Sequence, residues 1–161
     1  MKNLTIRPIE ATDNAQLASV IRKTLEEFGA NKPGTVYFDE STDHLFELFE
    51  QPNSAYFVAL LDKKIVGGAG VFPTPGLPDA MAELVKMYLA AESRGQGIAS
   101  QLIEKCEAFC RTQGFSQLYL ETLPELKTAV GMYQHLGFQR IEKQLGESGH
   151  FFCSIFMTKK L

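Results

Sequence analysis

The sequence predicts an α/β fold: one mixed sheet with helices packed on both of its faces. Three observations carry that expectation. Short β-rich runs and amphipathic helical stripes alternate along the chain, three β-rich runs follow one another in its first half, and strand–helix–strand order appears only after them. A regular repeat of parallel βαβ units fits that order less well than a single mixed sheet. With 161 residues, 45% of them hydrophobic, the chain can bury one core of ordinary size, so a single domain spanning 1–161 is expected.

The elements follow in order. "LTIRPI" is short, alternating and ended by turn chemistry, which predicts a strand. Leu17, Val20, Ile21, Leu25 and Phe28 share a helical spacing, with Thr12 or Asp13 as the cap. "GANKPGTVYFDEST" mixes glycine, proline and polar residues with aromatics and reads as a surface loop, followed by a short helix around Thr42 to Phe49. "SAYFVALLDKKIVGGAGVF" is a hairpin, two β-rich runs joined by an Asp-Lys-Lys turn. Three prolines and a glycine in the seven residues of "PTPGLPD" remove donors and fix angles, so that stretch is irregular. "MAELVKMYLA" then continues the sheet. Ile98, Leu102, Ile103, Cys106, Phe109 and Cys110 form one apolar helix face, closed by Gln113-Gly114. "FSQLYLET" is the next strand. Leu126, Ala129, Val130, Tyr133 and Leu136 make another helical stripe that stops at Gly137, and "FQRI" and "HFFCSIFMTK" finish the sheet.

Composition narrows the partners. A formal charge of -3 gives no general attraction to nucleic acid or to an anionic membrane. No stretch approaches the ~18 apolar residues of a membrane span, and "MKNLTIRPIEATDNAQL" lacks the apolar core of a secretory signal, so a cytoplasmic protein is expected. Cys106, Cys110 and Cys153 have no metal-ligand spacing and read as reduced packing residues, with no metal site. A small-molecule partner becomes the default.

The stretch that bears on that partner is "SRGQGIAS". Glycines just ahead of a helix let a ligand approach the backbone, and the free N–H groups and dipole of the helix start favour an anion such as phosphate. The Walker pattern is absent, and Ser100 stands where the dinucleotide pattern wants its third glycine or alanine. Five residues separate the last strand residue, Leu89, from Gly95, where a dinucleotide loop would turn at once.

The run "AELVKMYLAAESRGQGIASQLI" resembles the signature segment of the GNAT superfamily of acyl-CoA-dependent N-acyltransferases, Q/R-x-x-G-x-G/A, with Arg94, Gly97 and Ala99 at its three specified positions. Downstream, "AVGMYQHLGF" is similar to that family's AxxxYxxxGF segment, and "LTIRPIEATD" resembles its opening. Two positions depart from the pattern: Ala91 stands where a proline is common three residues before the arginine, and Leu126 where an asparagine is common seven residues before the tyrosine. The resemblance implies a mostly antiparallel sheet with one splayed parallel pair, "LVKMYLA" and "LYLET", and acetyl-CoA in the cleft between them. It assigns Met87, Tyr88 and Leu89 to the pantetheine arm and Arg94, Gly95, Gln96, Gly97, Ile98, Ala99 and Ser100 to the pyrophosphate. On that reading Gly95 and Gly97 stand where no side chain fits, Arg94 supplies charge, and the Leu89 N–H polarises the thioester carbonyl. The acceptor would be a primary amine of a small molecule, amino acid or polyamine, or of a peptide, and the last two strands would pair across a homodimer edge.

Transfer from a thioester to an amine needs an unprotonated amine and a proton for the leaving thiolate. Glu83 is the candidate base, because strand alternation puts it on one face with Val85, Met87 and Leu89 at the mouth of an apolar cleft, where desolvation raises a carboxyl pKa. A solvated strand-end glutamate is the plainer alternative. Tyr133 is the candidate proton donor, its place on the Ala129–Val130 stripe fitting an inward-facing role or an ordinary core tyrosine. His150 ranks lower as an acceptor-pocket residue, and His44 and His135 join no metal constellation. The loops carrying Lys32, Tyr37 and Phe38, and Pro73 to Asp79, are placed to shape the acceptor site. An acetyl-cysteine route through Cys153 is not expected. Two other classes fit the loop: a non-catalytic acyl-CoA sensor of the same fold, and a nucleotide-binding protein.

Overall fold

The computed structural model describes residues 2–161 and contains seven strands in one sheet, ordered β1-β2-β3-β4-β5-β7-β6. The chain runs through β1 (Leu4–Pro8), helix α1 (Asn14–Glu27), a short α2 (Leu45–Leu48), the hairpin strands β2 (Ala55–Leu61) and β3 (Lys64–Phe72), then β4 (Met81–Leu89). Helix α3 (Ile98–Thr112), β5 (Gln117–Thr122), α4 (Lys127–His135), β6 (Gln139–Ile141) and β7 (Ile155–Lys160) complete it. That is the element order and the mixed sheet expected from the sequence.

Local chemistry accounts for the boundaries. Arg7 grips both oxygens of Asp13 at 2.8 and 3.0 Å, and Asp13 Oδ2 also accepts the Glu10 N–H at 2.8 Å. Asp13 therefore holds the 3-10 turn that leads into α1, and its carboxylate does not cap the helix itself. The hairpin turn is two residues, Asp62 and Lys63, both at positive φ (49° and 70°), the twist that matches paired strands. Lys64 already belongs to β3. The last strand begins at Ile155, later than "HFFC" suggests. Upstream of it the backbone bonds elsewhere: the Phe152 N–H donates to the Gly34 carbonyl at 3.2 Å and the Cys153 N–H to the His150 carbonyl at 3.2 Å.

Both faces of the sheet are covered. Leu102, Ile103, Cys106 and Cys110 of α3 pack with Ala69, Val71, Ala82 and Leu84 on one face, while Leu17, Ile21 and Leu25 of α1 pack with Val58, Ile65 and Tyr56 on the other. Fully buried aliphatic side chains of this kind contribute about 1.5–3 kcal/mol each.

Two irregularities of β4 position everything that follows. It pairs with β3 from Glu83 to Leu89 but with β5 only at Met81–Glu83 against Gln117–Tyr119, the one parallel pair among the described residues, after which the two strands part. It also bulges: Gly68 faces Tyr88 and Gly70 faces Val85, so two steps on β3 oppose three on β4, with Lys86 at φ 50°. The Tyr56 ring lies where a side chain at Gly68 or Gly70 would be, and its hydroxyl donates to the Lys86 carbonyl at 2.7 Å, fixing the bulge.

Candidate active site

Where β4 and β5 part, a cavity of about 350 Å³ opens. Met87, Tyr88 and Leu89 line it from β4, Arg94, Gly95, Gly97, Ile98, Ala99 and Ser100 from the loop and the start of α3, and Leu126, Ala129, Met132 and Tyr133 from α4. Nine of the ten residues assigned to the cofactor from the sequence thus meet in one cleft. Gln96 does not: it is exposed and donates through Nε2 to the Glu92 carbonyl at 3.0 Å. Leu126 contributes apolar wall and no amide.

Helix α3 begins directly at Gly97, whose φ of 77° puts it in the left-handed region, and its first i to i−4 bond runs from the Gln101 N–H to the Gly97 carbonyl at 3.3 Å. The amides of Ile98, Ala99 and Ser100 therefore have no acceptor within the helix, the arrangement that favours an anion. A Cβ built on Gly95 or Gly97 meets no protein atom within 4 Å. Crowding within the protein is thus not what excludes side chains there. The backbone conformation is, with φ at 73° and 77°, and the space that a Cβ would fill is the open floor of the cleft.

Arg94 is more committed than a free charge. Its Nε donates to the Leu89 carbonyl at 3.1 Å, its Nη1 pairs with Glu27 of α1, and its guanidinium lies 5.1 Å from the centre of the Phe28 ring. It braces the end of β4 against α1, leaving Nη2 buried without a partner among the described residues.

At the inner end, Tyr133 also lines a second cavity, of about 60 Å³, with Glu83, Lys86, Glu121, His150 and Cys153. Glu83 is 3% exposed and accepts a 2.6 Å hydrogen bond from the Thr74 hydroxyl. Burial pushes its pKa up to about 7, assisted by the nearby Glu121 and opposed by Thr74, His150 and Lys86. Tyr133 is buried edge-on to Phe138, 5.7 Å between ring centres, and burial pushes its hydroxyl pKa up. The phenol stays protonated at neutral pH, and among the described residues no side chain hydrogen-bonds it.

The bulge changes the face on which Glu83 sits. Regular alternation would align it with Met87 and Leu89, but those two pack with Ala82 and Leu84 on the α3 side, whereas Val85 and Tyr88 pack on the α1 side. Glu83 belongs to the latter set. It still communicates with the cofactor cleft because the cleft passes through the gap between β4 and β5, so residues of both faces line it.

Sequence reading missed most of a polar cluster beside Glu83. Asp39 Oδ2 bonds both Lys86 Nζ, at 3.1 Å, and His150 Nε2, at 2.6 Å. Glu121 accepts from Tyr119 at 2.7 Å, from Gln144 at 2.9 Å and from Ser148. A third cavity, of about 160 Å³, is lined by Asp39, Thr74, Pro75, Glu83, Lys86, Ser148 and His150. Both loops singled out for the acceptor side reach it, through Asp39 next to Phe38 and through Thr74 and Pro75. Tyr37 turns away to Glu26 at 2.6 Å, and Lys32 lies over Phe152 at 4.9 Å. Burial, Glu121 and Glu83 push the Cys153 thiol up to about 12, which disfavours the thiolate at neutral pH.

Comparison with known proteins agrees with this geometry. The model of the acetyltransferase (GNAT) family matches residues 19–138. An Escherichia coli K12 protein, the uncharacterized N-acetyltransferase YjgM, is 38% identical across all of this chain and 94% of its own length. Human N-acetyltransferase 8 is 33% identical over 78% of the chain and 56% of itself, so the chain spans about half the length of that relative. Among solved structures, a GNAT-family acetyltransferase of Staphylococcus aureus superposes with a TM-score of 0.83 at 18% identity over 99% of both chains. The PaiA N-acetyltransferase of Thermoplasma acidophilum, solved with coenzyme A, gives 0.77 at 19% identity, again over 99% of both, and these two likenesses speak to the fold. A family match that runs through both the glycine loop and the α4–β6 segment, joined by a relative 38% identical along the whole chain, shows that the chain belongs to the GNAT family of acetyltransferases and draws its acetyl group from acetyl-CoA.

Proposed function

We propose that the chain, working as one catalytic domain over residues 1–161, carries the acetyl group of acetyl-CoA directly to a primary amine of a small molecule or a peptide in the cytoplasm. The observation that carries this reading is the meeting of two cavities at Tyr133: the cleft with the free α3 amides on one side, the chamber of Glu83 on the other. The cleft fits the donor, since it offers open glycine floor, three unpaired amides, the orphaned Arg94 Nη2 and an unpaired β4 edge beyond Glu83. Bound there, acetyl-CoA supplies an activated acyl thioester.

Glu83 takes a proton from the acceptor ammonium, directly or through water, and a carboxylate with a pKa near 7 is matched to that task at neutral pH. Tyr133 offers a proton to the departing sulfur. A thiol of pKa about 8.5 is more acidic than this phenol, so Tyr133 acts by hydrogen bonding to developing charge as much as by complete transfer. The Leu89 N–H is assigned to the thioester carbonyl. No helix among the described residues is long and apolar enough to cross a membrane. Of the last two strands expected at a homodimer edge, β7 is paired on both sides, by β5 and β6, so a second copy would add at the outer edge of β6, which has no partner strand among the described residues.

Free-thiol release measured over a panel of amino acids, polyamines and N-terminal peptides tests the reading, with Glu83→Gln and Tyr133→Phe as controls that are expected to lose turnover. A wild type that is stabilised by acetyl-CoA in a thermal-shift assay but releases thiol with no amine would make it a sensor. Stabilisation by ATP or NAD and not by acetyl-CoA would make it a nucleotide-binding protein.

A further inference from the structure

Lys86 has no part in the reaction just described, yet the fold goes out of its way to place it. Continued alternation along β4 would send its side chain with Leu84 toward α3 and the apolar core. The bulge instead holds it at φ 50°, a conformation that costs energy for any residue with a side chain, and Tyr56 fixes the bulge from below. Strain of this kind is kept where the surroundings require it, and here it turns a cation to the Glu83 face.

The cation is then left short of partners. The Lys86 side chain is 5% exposed, its ammonium has three protons to donate, and among the described residues its one acceptor is Asp39 Oδ2 at 3.1 Å. That oxygen is shared with His150 Nε2 at 2.6 Å. Of the carboxylates that share these cavities, Glu121 accepts from Tyr119, Gln144 and Ser148, and Glu83 accepts from Thr74 through Oε1, with no hydrogen bond to Lys86 among the described residues. A buried charge with unspent donors is costly unless something completes its shell. What lies open to Lys86 is the cavity of about 160 Å³ that it shares with Glu83, roofed by the loop before α2 and by the β6–β7 connection.

We propose that Lys86 binds a carboxylate carried by the acceptor, so that the acceptor is an amine with a carboxylate a few bonds away, of the α-amino acid type, and not a polyamine. This rests on the amine-acetylation reading of the same site. One strand then presents both contacts, Glu83 for the ammonium and Lys86, three positions on, for the carboxylate. Both groups line one small chamber, which suits a compact zwitterion.

Thiol release should be measured with the common amino acids, with their carboxamides, and with putrescine and spermidine. The wild type is expected to prefer the free carboxylate over the carboxamide by about tenfold or more in kcat/KM, mainly through KM, consistent with loss of a charge-assisted hydrogen bond. Lys86→Met should bring that ratio close to one. Lys86→Gly, which accepts the positive φ and so keeps the bulge, should do the same, and Lys86→Arg should restore part of the preference. A binding arm runs in parallel: with coenzyme A present, N-acetylated amino acids should raise the melting temperature of the wild type more than their carboxamides do, and the difference should vanish in both neutral variants. Equal use of acids and carboxamides, or preference for polyamines, overturns the proposal while leaving amine acetylation standing. Lys86-dependent binding of carboxylates without acetylation of any amine overturns the enzymatic reading and, with it, the assignment of that carboxylate to an acceptor, leaving Lys86 as a carboxylate site alone.

Discussion

Glu83 shows how one residue ties stability to chemistry. Its pKa in the folded chain is raised from 4.5 to about 7, first by burial and then by Glu121, against Thr74, His150 and Lys86. Because the folded value lies above the unfolded one, the neutral form favours the fold; that contribution is complete below about pH 4.5 and is lost as pH rises through about 7. Roughly 2.5 units correspond to about 3 kcal/mol. Activity runs the other way, since only the carboxylate accepts a proton, so kcat/KM should climb about tenfold per pH unit below 7 and level off above it. Glu83→Gln should lower kcat/KM on the order of 100-fold and abolish that limb, yet leave the melting temperature at pH 8 unchanged or higher, because it removes a buried charge and keeps an acceptor for Thr74. Tyr133→Phe separates the roles differently. Among the described residues the hydroxyl bonds no other side chain, so the variant should lose under about 1 kcal/mol in denaturant unfolding while kcat falls about tenfold or more and the KM for acetyl-CoA hardly moves. The sequence pointed to both positions, Tyr133 through its motif and Glu83 through an alternation that aligned it with Met87 and Leu89, from which the bulge separates it. Lys86 and Asp39 could not be read from it, because alternation sends the first into the core and the second joins the cluster only through a contact 47 residues away in the chain.

Elements were legible where local chemistry decides them. The hairpin, the stripe of α3 and its stop at Gly114, and the stop of α4 at Gly137 all follow from spacing and turn residues. The start of β7 did not, since "HFFC" has the composition of a strand but its backbone groups bond the Gly34 loop and their own turn. The bulge of β4 did not either, because nothing in "LVKMYL" marks an extra residue; it is held by Tyr56 of β2, whose ring crosses the glycines of β3 to reach the Lys86 carbonyl. The glycine loop makes the sharpest claim at this scale. Gly97→Ala must hold alanine at a φ of 77°, which costs about 1 kcal/mol, and its methyl group enters the open floor of the cleft. Thermal denaturation should show the modest loss, and saturation kinetics a KM for acetyl-CoA raised about tenfold.

For the molecule as a whole, strand count and mixed character could be read from the order of elements, whereas the extent of the parallel pairing could not. Nothing in "LVKMYLA" or "LYLET" marks the point where the strands part, so the gap is a property of the assembled sheet and of α4 beside it. Among the described residues the β1–β4 and β5–β7 halves of the sheet are laddered together at three positions, Met81 to Glu83, extended by the Ser116 and Gln117 N–H groups on the Ala80 carbonyl, with α3 lying across both. Backbone hydrogen exchange should therefore be slow in the β2–β3 and β5–β7 ladders, faster at the amides of Val85 to Leu89 that face the gap, and should slow at those amides when acetyl-CoA is added. A donor at 100 times its Kd would add about 2.7 kcal/mol to the folded state, delivered across that gap. In mechanical terms the gap is a perforation. Tension applied between β1 and β6 would open the sheet along it first, and the donor is the stitch across it, so each turnover closes and releases the weakest line in the protein.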